Sequence, residues 1–301
     1  MPEASIASFF IKDMKGYTFP EDQFLPRPKC YLAAYDQPNK KWGLILEDLN
    51  EAGGIHKTHE NEMNMAEVMR MIPKMVDFAV AWEGCHEDGR EKQLNEYGMF
   101  GWCDQRNMGQ YKATVPAGAK YYDITTSLES PLNLRKWKDV LPTNDISETI
   151  ATKLDAFHAC CDPANGATVT LGHGDFRGDN LFFFGDDDFK CIDFQFLYQG
   201  PVSCDLAYLM TSGSVLPEVY GKEGTAQVTK AFFDQFKAKT TKYKDLTYEQ
   251  FMNEYKIIGC RLYLYFVGMG GPFYHGGAYQ NVTAARIEWG HPEEVKQADG
   301  T

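Results

Sequence analysis

The chain has 301 residues, of which 44% are hydrophobic and 24% charged. That is an ordinary globular composition, and it argues against a disordered chain, a collagen or a coiled coil. Thirty Lys and Arg against 42 Asp and Glu leave a net charge of −12, a poor electrostatic match to bare DNA or an anionic membrane surface, although a local basic site for phosphates stays compatible with it.

The length suits one large domain or two smaller ones. No apolar run is long enough to span a bilayer, and the start, MPEASIASFF, lacks the basic region and apolar core of a signal peptide. The expectation is a cytoplasmic protein with no nucleic-acid, membrane or obligate protein partner. The eight cysteines (30, 85, 103, 160, 161, 191, 204 and 260) include no Cys-x-x-Cys pair, so they read as reduced, mostly buried thiols.

In chain order, residues 1–30 look irregular, broken by Pro20, Pro26 and Pro28. Cys30–Tyr35 and Trp42–Glu47, separated by a polar turn, read as an antiparallel hairpin. From Glu60 to about Trp82, Met65, Met69, Ile72, Val76, Ala79 and Val80 recur at helical spacing, and Pro73 predicts a kink or break. This methionine stripe reads as core packing. Residues 84–140 are loop-rich. Ser147–Ala159 reads as a helix and Thr168–Leu171 as a short apolar run. Leu181–Phe184 and Phe189–Phe194 form a second hairpin around Gly185–Asp188, whose three aspartates read as a solvated turn. Helices follow over Asp205–Met210, Thr225–Lys237 and Tyr248–Val267. Gly268–Gly277 reads as a loop, and the last residues as a polar tail.

The chemistry is concentrated in LGHGDFRGDNLFFFGDDDFKCIDFQFLYQGPVSCDLAY, Leu171–Tyr208. Phosphoryl transfer from ATP needs a held magnesium ion and an oriented acceptor hydroxyl, since its barrier is mostly electrostatic and positional. Magnesium prefers oxygen ligands and keeps several waters. Asn180 and Asp193 supply one amide and one carboxylate for it, and Asp175 a second carboxylate to take or orient the hydroxyl proton. The hairpin between residues 180 and 193 brings those two positions together. A specified four-residue set such as His173, Gly174, Asp175 and Asn180 arises by chance in about one in five hundred chains of this length, at roughly 5% per residue type. A His-x-Asp metallohydrolase site is disfavoured, because no further His/Asp cluster supplies ligands. Arg177 is read either as a contact to substrate or phosphate or as a solvated arginine.

His-Gly-Asp-x-x-x-x-Asn, then Ile-Asp-Phe, then Gly-Pro-x-x-x-Asp-Leu-Ala resembles the aminoglycoside phosphotransferase and choline kinase superfamily. Ile192–Gln195 and the segment Leu44–Leu49 most resemble its ecdysteroid kinase-like (CHK kinase-like) branch. The resemblance covers about residues 26–270. It implies an α+β, protein-kinase-like bilobal fold and an ATP- and Mg²⁺-dependent phosphotransferase acting on a small-molecule hydroxyl acceptor. It further implies Asp175 and, supporting the loop, His173 as catalytic residues, Asn180 and Asp193 as metal ligands, and Asp205 as a brace for that loop. As an N-cap, Asp205 also has a local reason to be there. Leu46, Glu47, Asp48 and Leu49 match the hinge that bonds the adenine edge.

No Gly-x-Gly-x-x-Gly precedes Cys30, and Lys12, Lys15 and Lys29 lie in no apolar strand, so the glycine-rich loop and phosphate lysine of such kinases are not visible. The division expected is a partial N-terminal lobe with an incomplete set of strands over 1–49, a mainly helical catalytic lobe over 50–290 and a tail over 291–301. A truncated gene model and a natural short form both account for it, and weak or absent catalysis by this chain alone is expected. The alternative function is a pseudokinase-like module that binds a ligand or protein. A protein kinase is disfavoured, because Pro201 and Asp205 follow Asp193 too closely for a long activation segment.

Overall fold

The computed structural model describes residues 13–36, 38–39, 41–57, 61–87, 161–185, 188–212 and 214–259, with 152, 155, 159 and 262. Its strands are β1 (Cys30–Asp36), β2 (Lys41–Leu46), β3 (Ile55–His56), β4 (Thr170–Gly172), β5 (Leu181–Phe184), β6 (Asp188–Cys191) and β7 (Tyr198–Gly200). Its helices are α1 (Met65–Ala81), α2 (Cys204–Thr211), α3 (Pro217–Tyr220) and α4 (Lys222–Lys239), and residues 248–259 are helical as well. Helices and antiparallel strands thus make an α+β structure. Among the described residues no helix is long and apolar enough to cross a membrane.

Three small sheets hold the strands. β1 and β2 pair antiparallel from Asp36↔Lys41 to Cys30↔Leu46, with an irregularity between Cys30 and Leu32. Their turn is fixed by the Asp36 carboxylate, which accepts from the Asn39 backbone and side chain at 3.3 and 2.7 Å. Cys30, Leu44 and Leu46 pack on the core, while Tyr31, Leu32, Trp42 and Ile45 stay exposed. The second sheet runs β3-β5-β6 and the third pairs β4 with β7.

α1 begins at a capping box. The Glu67 N–H donates to the Asn64 side chain, and the Asn64 N–H to the Glu67 carboxylate, both at 3.0 Å, so two otherwise orphaned donors are satisfied. Lys57 reinforces this end, reaching Glu67 at 2.6 Å with only 5% of its side chain exposed. The methionine stripe is core: Met71, Ile72, Met75, Val76 and Ala79 are buried, and Met65, Met69 and Val80 pack against them.

Of the kink or break expected at Pro73, a break does not occur, and α1 runs unbroken through it. Pro73 lies on the exposed face. The ring removes one hydrogen bond, that to the Met69 carbonyl. The buried stripe opposite then holds the helix against α4, its main partner, whose Phe232, Phe233 and Phe236 are buried in the same core.

Residues 13–25 look irregular in sequence yet join the main core. Phe19 stacks on Phe24 at 4.9 Å and meets Trp82 edge-on at 5.4 Å, and Phe24 contacts Phe78 and Phe194 at 5.0 and 5.1 Å. The Trp82 indole N–H donates to the Gln23 carbonyl at 2.7 Å. Prolines prevented a long helix here without preventing burial.

Of the helix expected over 147–159, residues 152, 155 and 159 are described and are helical. The tract 88–140, the end of the helix expected over 248–267, the glycine-rich stretch 268–277 and the tail lie outside the described residues. Cys30 is half-buried, and Cys85, Cys161, Cys191 and Cys204 are buried.

Candidate active site

β4 delivers the chain into a loop, 173–180, that a hydrogen-bond frame holds from behind. Asp205 is its centre. The His173 N–H donates to one carboxylate oxygen at 2.7 Å, and the Gly174 N–H to the other at 3.0 Å. The Tyr198 hydroxyl lies 3.4 Å from the same group. Burial pushes this carboxyl up, opposed by the backbone donors of His173 and Gly174 and by the Tyr198 hydroxyl. Asp205 is not the N-cap of α2: Ser203 holds that position and its side chain makes no capping bond. Two residues further on, inside the first turn, Asp205 bonds a different segment altogether.

Gly174 is required by this geometry. Its φ is +85°, and a Cβ there would stand 2.1 Å from the Phe196 carbonyl oxygen. His173 is wholly buried. Its Nε2 faces the Ile192 carbonyl at 3.0 Å, and its Nδ1 accepts the Asp175 N–H at 3.2 Å. Only the neutral imidazole protonated on Nε2 satisfies both contacts, and burial pushes its pKa down accordingly. His173 touches the loop and the strand exit, and it packs on Phe194 at 5.0 Å.

Asp175 and Asn180 meet directly. The Asn180 amide nitrogen donates to the Asp175 carbonyl at 2.8 Å and to its carboxylate at 3.1 Å. That orientation leaves the amide oxygen as the atom able to face a cation. The Arg177 Nε stands 3.5 Å from Asp175 and its guanidinium 3.8 Å from Asp179, with a quarter of its side chain exposed. Arg177 is therefore tucked beside the loop carboxylates rather than solvated. His56 on β3 supports the outer edge of the loop, its ring bonding the Asp179 carbonyl at 2.8 Å and stacking on Phe182 at 4.6 Å.

The hairpin brings residues 180 and 193 together as its register requires. Leu181 pairs with Cys191, and the next step is an Ile192 N–H bond to the Asn180 carbonyl at 3.0 Å. Asp193 then leaves the strand in the left-handed region, φ 66° and ψ 68°. Its carboxylate accepts from the Gln195 amide at 3.1 Å. Burial first, then the Asp175 and Asp13 charges, push it up to about 7.

Two residues at this point were not singled out from the sequence. The Asp193 N–H donates to the Tyr17 hydroxyl at 3.0 Å, and the Phe194 N–H to the Asp13 carboxylate at 2.8 Å. Burial pushes Asp13 up to about 6. The sequence signal available was Gly16, which sits between them at the end of a short helical stretch, residues 13–16.

The segment 46–49 joins β2 to the turn before β3. Glu47 is tied to β6, accepting from Lys190 at 2.7 Å and from the Lys29 N–H at 3.0 Å, and the Lys190 bond holds its carboxyl below the usual range. The Asp48 carboxylate accepts the Asn50 and Glu51 N–H groups at 2.9 and 3.2 Å, and Leu49 is buried. Both acidic side chains are thus occupied in structure. Among the described residues no hydrogen bond engages the Glu47 carbonyl or the Leu49 N–H.

Among the described residues no three His, Cys, Asp or Glu side chains form a complete metal cage. Magnesium does not need one, since it keeps waters and takes phosphate oxygens beside one or two protein ligands. Asp193 and Asn180 fit it on their own chemistry: hard oxygen donors, one of them a carboxylate raised by burial and by neighbouring negative charge that a divalent cation would relieve.

The comparison with curated proteins found no match. Among solved structures, a provisionally assigned aminoglycoside phosphotransferase from Ralstonia eutropha is similar at 15% identity and a TM-score of 0.46, with 99% of this chain and 83% of that one covered. The sequence model of the ecdysteroid kinase-like family matches residues 10–252, well over half the chain. The match takes in the β1-β2 hairpin, the 173–180 loop, Asp193 and Asp205, and by it the chain belongs to the ecdysteroid kinase-like family, with that family's kinase-like α+β fold.

Proposed function

We propose that the protein is a small-molecule kinase that transfers the γ-phosphoryl group of ATP to a hydroxyl of a small acceptor. One observation carries this reading: Asn180 bonds Asp175 directly, and Ile192, the neighbour of Asp193, bonds Asn180. An acid–base carboxylate, an amide and a second carboxylate are thereby gathered at one point.

Asp175 accepts or orients the proton of the attacking hydroxyl, and the Asn180 amide fixes its rotamer for that task. Asn180 and Asp193 would hold magnesium, which when bound neutralises charge on the phosphates. His173, neutral and buried, transmits the position of the strand exit to the loop and moves no proton itself. Asp205 holds the loop backbone in place. The Glu47 carbonyl and the Leu49 N–H, an acceptor and a donor two residues apart on one strand exit, suit the edge of an adenine ring. Glu47 is bonded to Lys190, which is three residues, roughly 10 Å of extended chain, from Asp193.

The test is calorimetry with Mg²⁺–ATP, followed by turnover against a panel of small alcohols. Asp193→Asn should abolish the Mg²⁺-dependent part of nucleotide affinity, and Asp175→Asn should abolish turnover while leaving binding. Binding without turnover on any acceptor would favour a ligand-binding module. No nucleotide binding at all would sink the kinase reading.

A further inference from the structure

Among the described residues Asp193 is the one non-glycine with positive φ. A side-chain-bearing residue rests in that region only when its surroundings impose it. The two consecutive N–H groups of this turn are not held by the hairpin or by the 173–180 loop. They are held by Tyr17 at 3.0 Å and Asp13 at 2.8 Å, which lie 176 and 181 residues earlier. The Tyr17 ring also packs edge-on against Phe194 at 5.0 Å. Gly16 permits the approach, since a Cβ there would come within 2.2 Å of the Phe194 Cβ.

We propose that Tyr17 and Asp13 are positioning residues that impose the left-handed turn and so aim the Asp193 carboxylate at its ligand. The proposal rests on Asp193 being the magnesium-holding residue. Neither residue touches nucleotide or acceptor; each acts through a backbone N–H. With the 13–17 segment docked, two acceptors fix the turn from one side while Gln195 fixes the carboxylate from the other. With it released, both N–H groups lose their partners and nothing opposes relaxation of Asp193 to a right-handed or extended backbone. The N-terminal segment is then a built-in requirement for metal-dependent binding.

Three variants of the full chain separate a hydrogen-bond role from a charge or a packing role. Tyr17→Phe keeps the ring on Phe194 and removes the acceptor. Asp13→Ala removes acceptor and charge. Asp13→Asn keeps an acceptor oxygen without charge. ATP affinity is measured by calorimetry with and without Mg²⁺, together with melting temperature and the amide exchange of Asp193 and Phe194. Tyr17→Phe and Asp13→Ala should each lower the Mg²⁺-dependent affinity about fivefold, the effect of one neutral hydrogen bond. Metal-free affinity should not change, and Asp13→Asn should restore wild-type behaviour. Exchange should quicken at Asp193 in the first variant and at Phe194 in the second. Unchanged Mg²⁺-dependent affinity overturns the proposal, as does Asp13→Asn behaving like Asp13→Ala, or an equal loss of metal-free affinity and melting temperature. If the wild-type chain shows no Mg²⁺-dependent binding, the kinase reading fails by itself, and exchange alone decides: wild-type rates at both amides in the variants overturn the positioning role, and quickened rates uphold it.

Discussion

Removing the Asp205 carboxylate tests how the 173–180 loop is held. In Asp205→Ala, the His173 and Gly174 N–H groups, at 2.7 and 3.0 Å, lose their acceptor inside the protein. Each buried, unsatisfied donor costs roughly 1–3 kcal/mol, so the loss is about 2–6 kcal/mol against a total stability of roughly 5–15 kcal/mol. A water entering the small cavity that Asp205 lines would hold the loss near the lower figure. At an m-value of roughly 3 kcal/mol/M, the urea midpoint falls by about 1–2 M. Asp205→Asn sharpens the test. Its amide has the same shape but one acceptor oxygen, so one N–H stays satisfied while the other faces an NH₂ group. The variant should recover no more than about half the loss. A wild-type midpoint for Asp205→Asn would refute the two-oxygen acceptor on which the account of the loop depends.

Gly174→Ala should be at least as damaging, because a left-handed alanine costs roughly 1–2 kcal/mol before its Cβ meets the Phe196 carbonyl oxygen at 2.1 Å; an unshifted urea midpoint would refute it. Glu254, buried beneath Thr168 and bonded to its N–H and hydroxyl at 2.8 and 2.7 Å, is raised by burial from 4.5 to about 7. Between those values the folded chain keeps a proton that the unfolded chain has lost, so stability falls as pH rises through that window and is level above it. The shift corresponds to roughly 3 kcal/mol at 1.36 kcal/mol per pH unit. Glu254→Gln should lose less stability than wild type between pH 5 and 8, and parallel denaturation curves would refute this. Asp193, raised to about 7, must lose its proton to take a cation, so Mg²⁺-dependent ATP affinity should drop about tenfold per pH unit below that value. Calorimetry at pH 6 and 8 checks it, and equal affinities at the two would argue against Asp193 as a ligand.

Most elements were legible where a local pattern made them. The period of the methionine stripe marked α1, and alternation with turn residues marked both hairpins. Pro73 did not break the helix, as one branch of the kink-or-break expectation had it, because a proline costs a helix one hydrogen bond and the buried face keeps packing. Residues 13–25 did mislead. Pro20 and Pro26 removed helical periodicity, but Phe19 and Phe24 bury their rings in the core as irregular chain, and nothing in a local pattern registers that.

The candidate site divides along the same line. Asp175 and Asn180 are five residues apart, and a hairpin of readable register closes the gap to Asp193, so these residues could be brought together on paper. Asp205 could be placed near the loop by resemblance, but its local chemistry pointed to an N-cap, and only the tertiary fold turned its carboxylate toward His173 and Gly174. Tyr17 and Asp13 carried no signal of their own beyond the neighbouring Gly16, since each bonds a backbone N–H, and a backbone donor carries no residue identity for a sequence pattern to match. That explains why the groups proposed to touch ligand were legible while the groups that fix the conformation of Asp193 were not. The first are specified by side-chain chemistry at short range, the second by an acceptor that any chain segment able to reach Phe194 can supply.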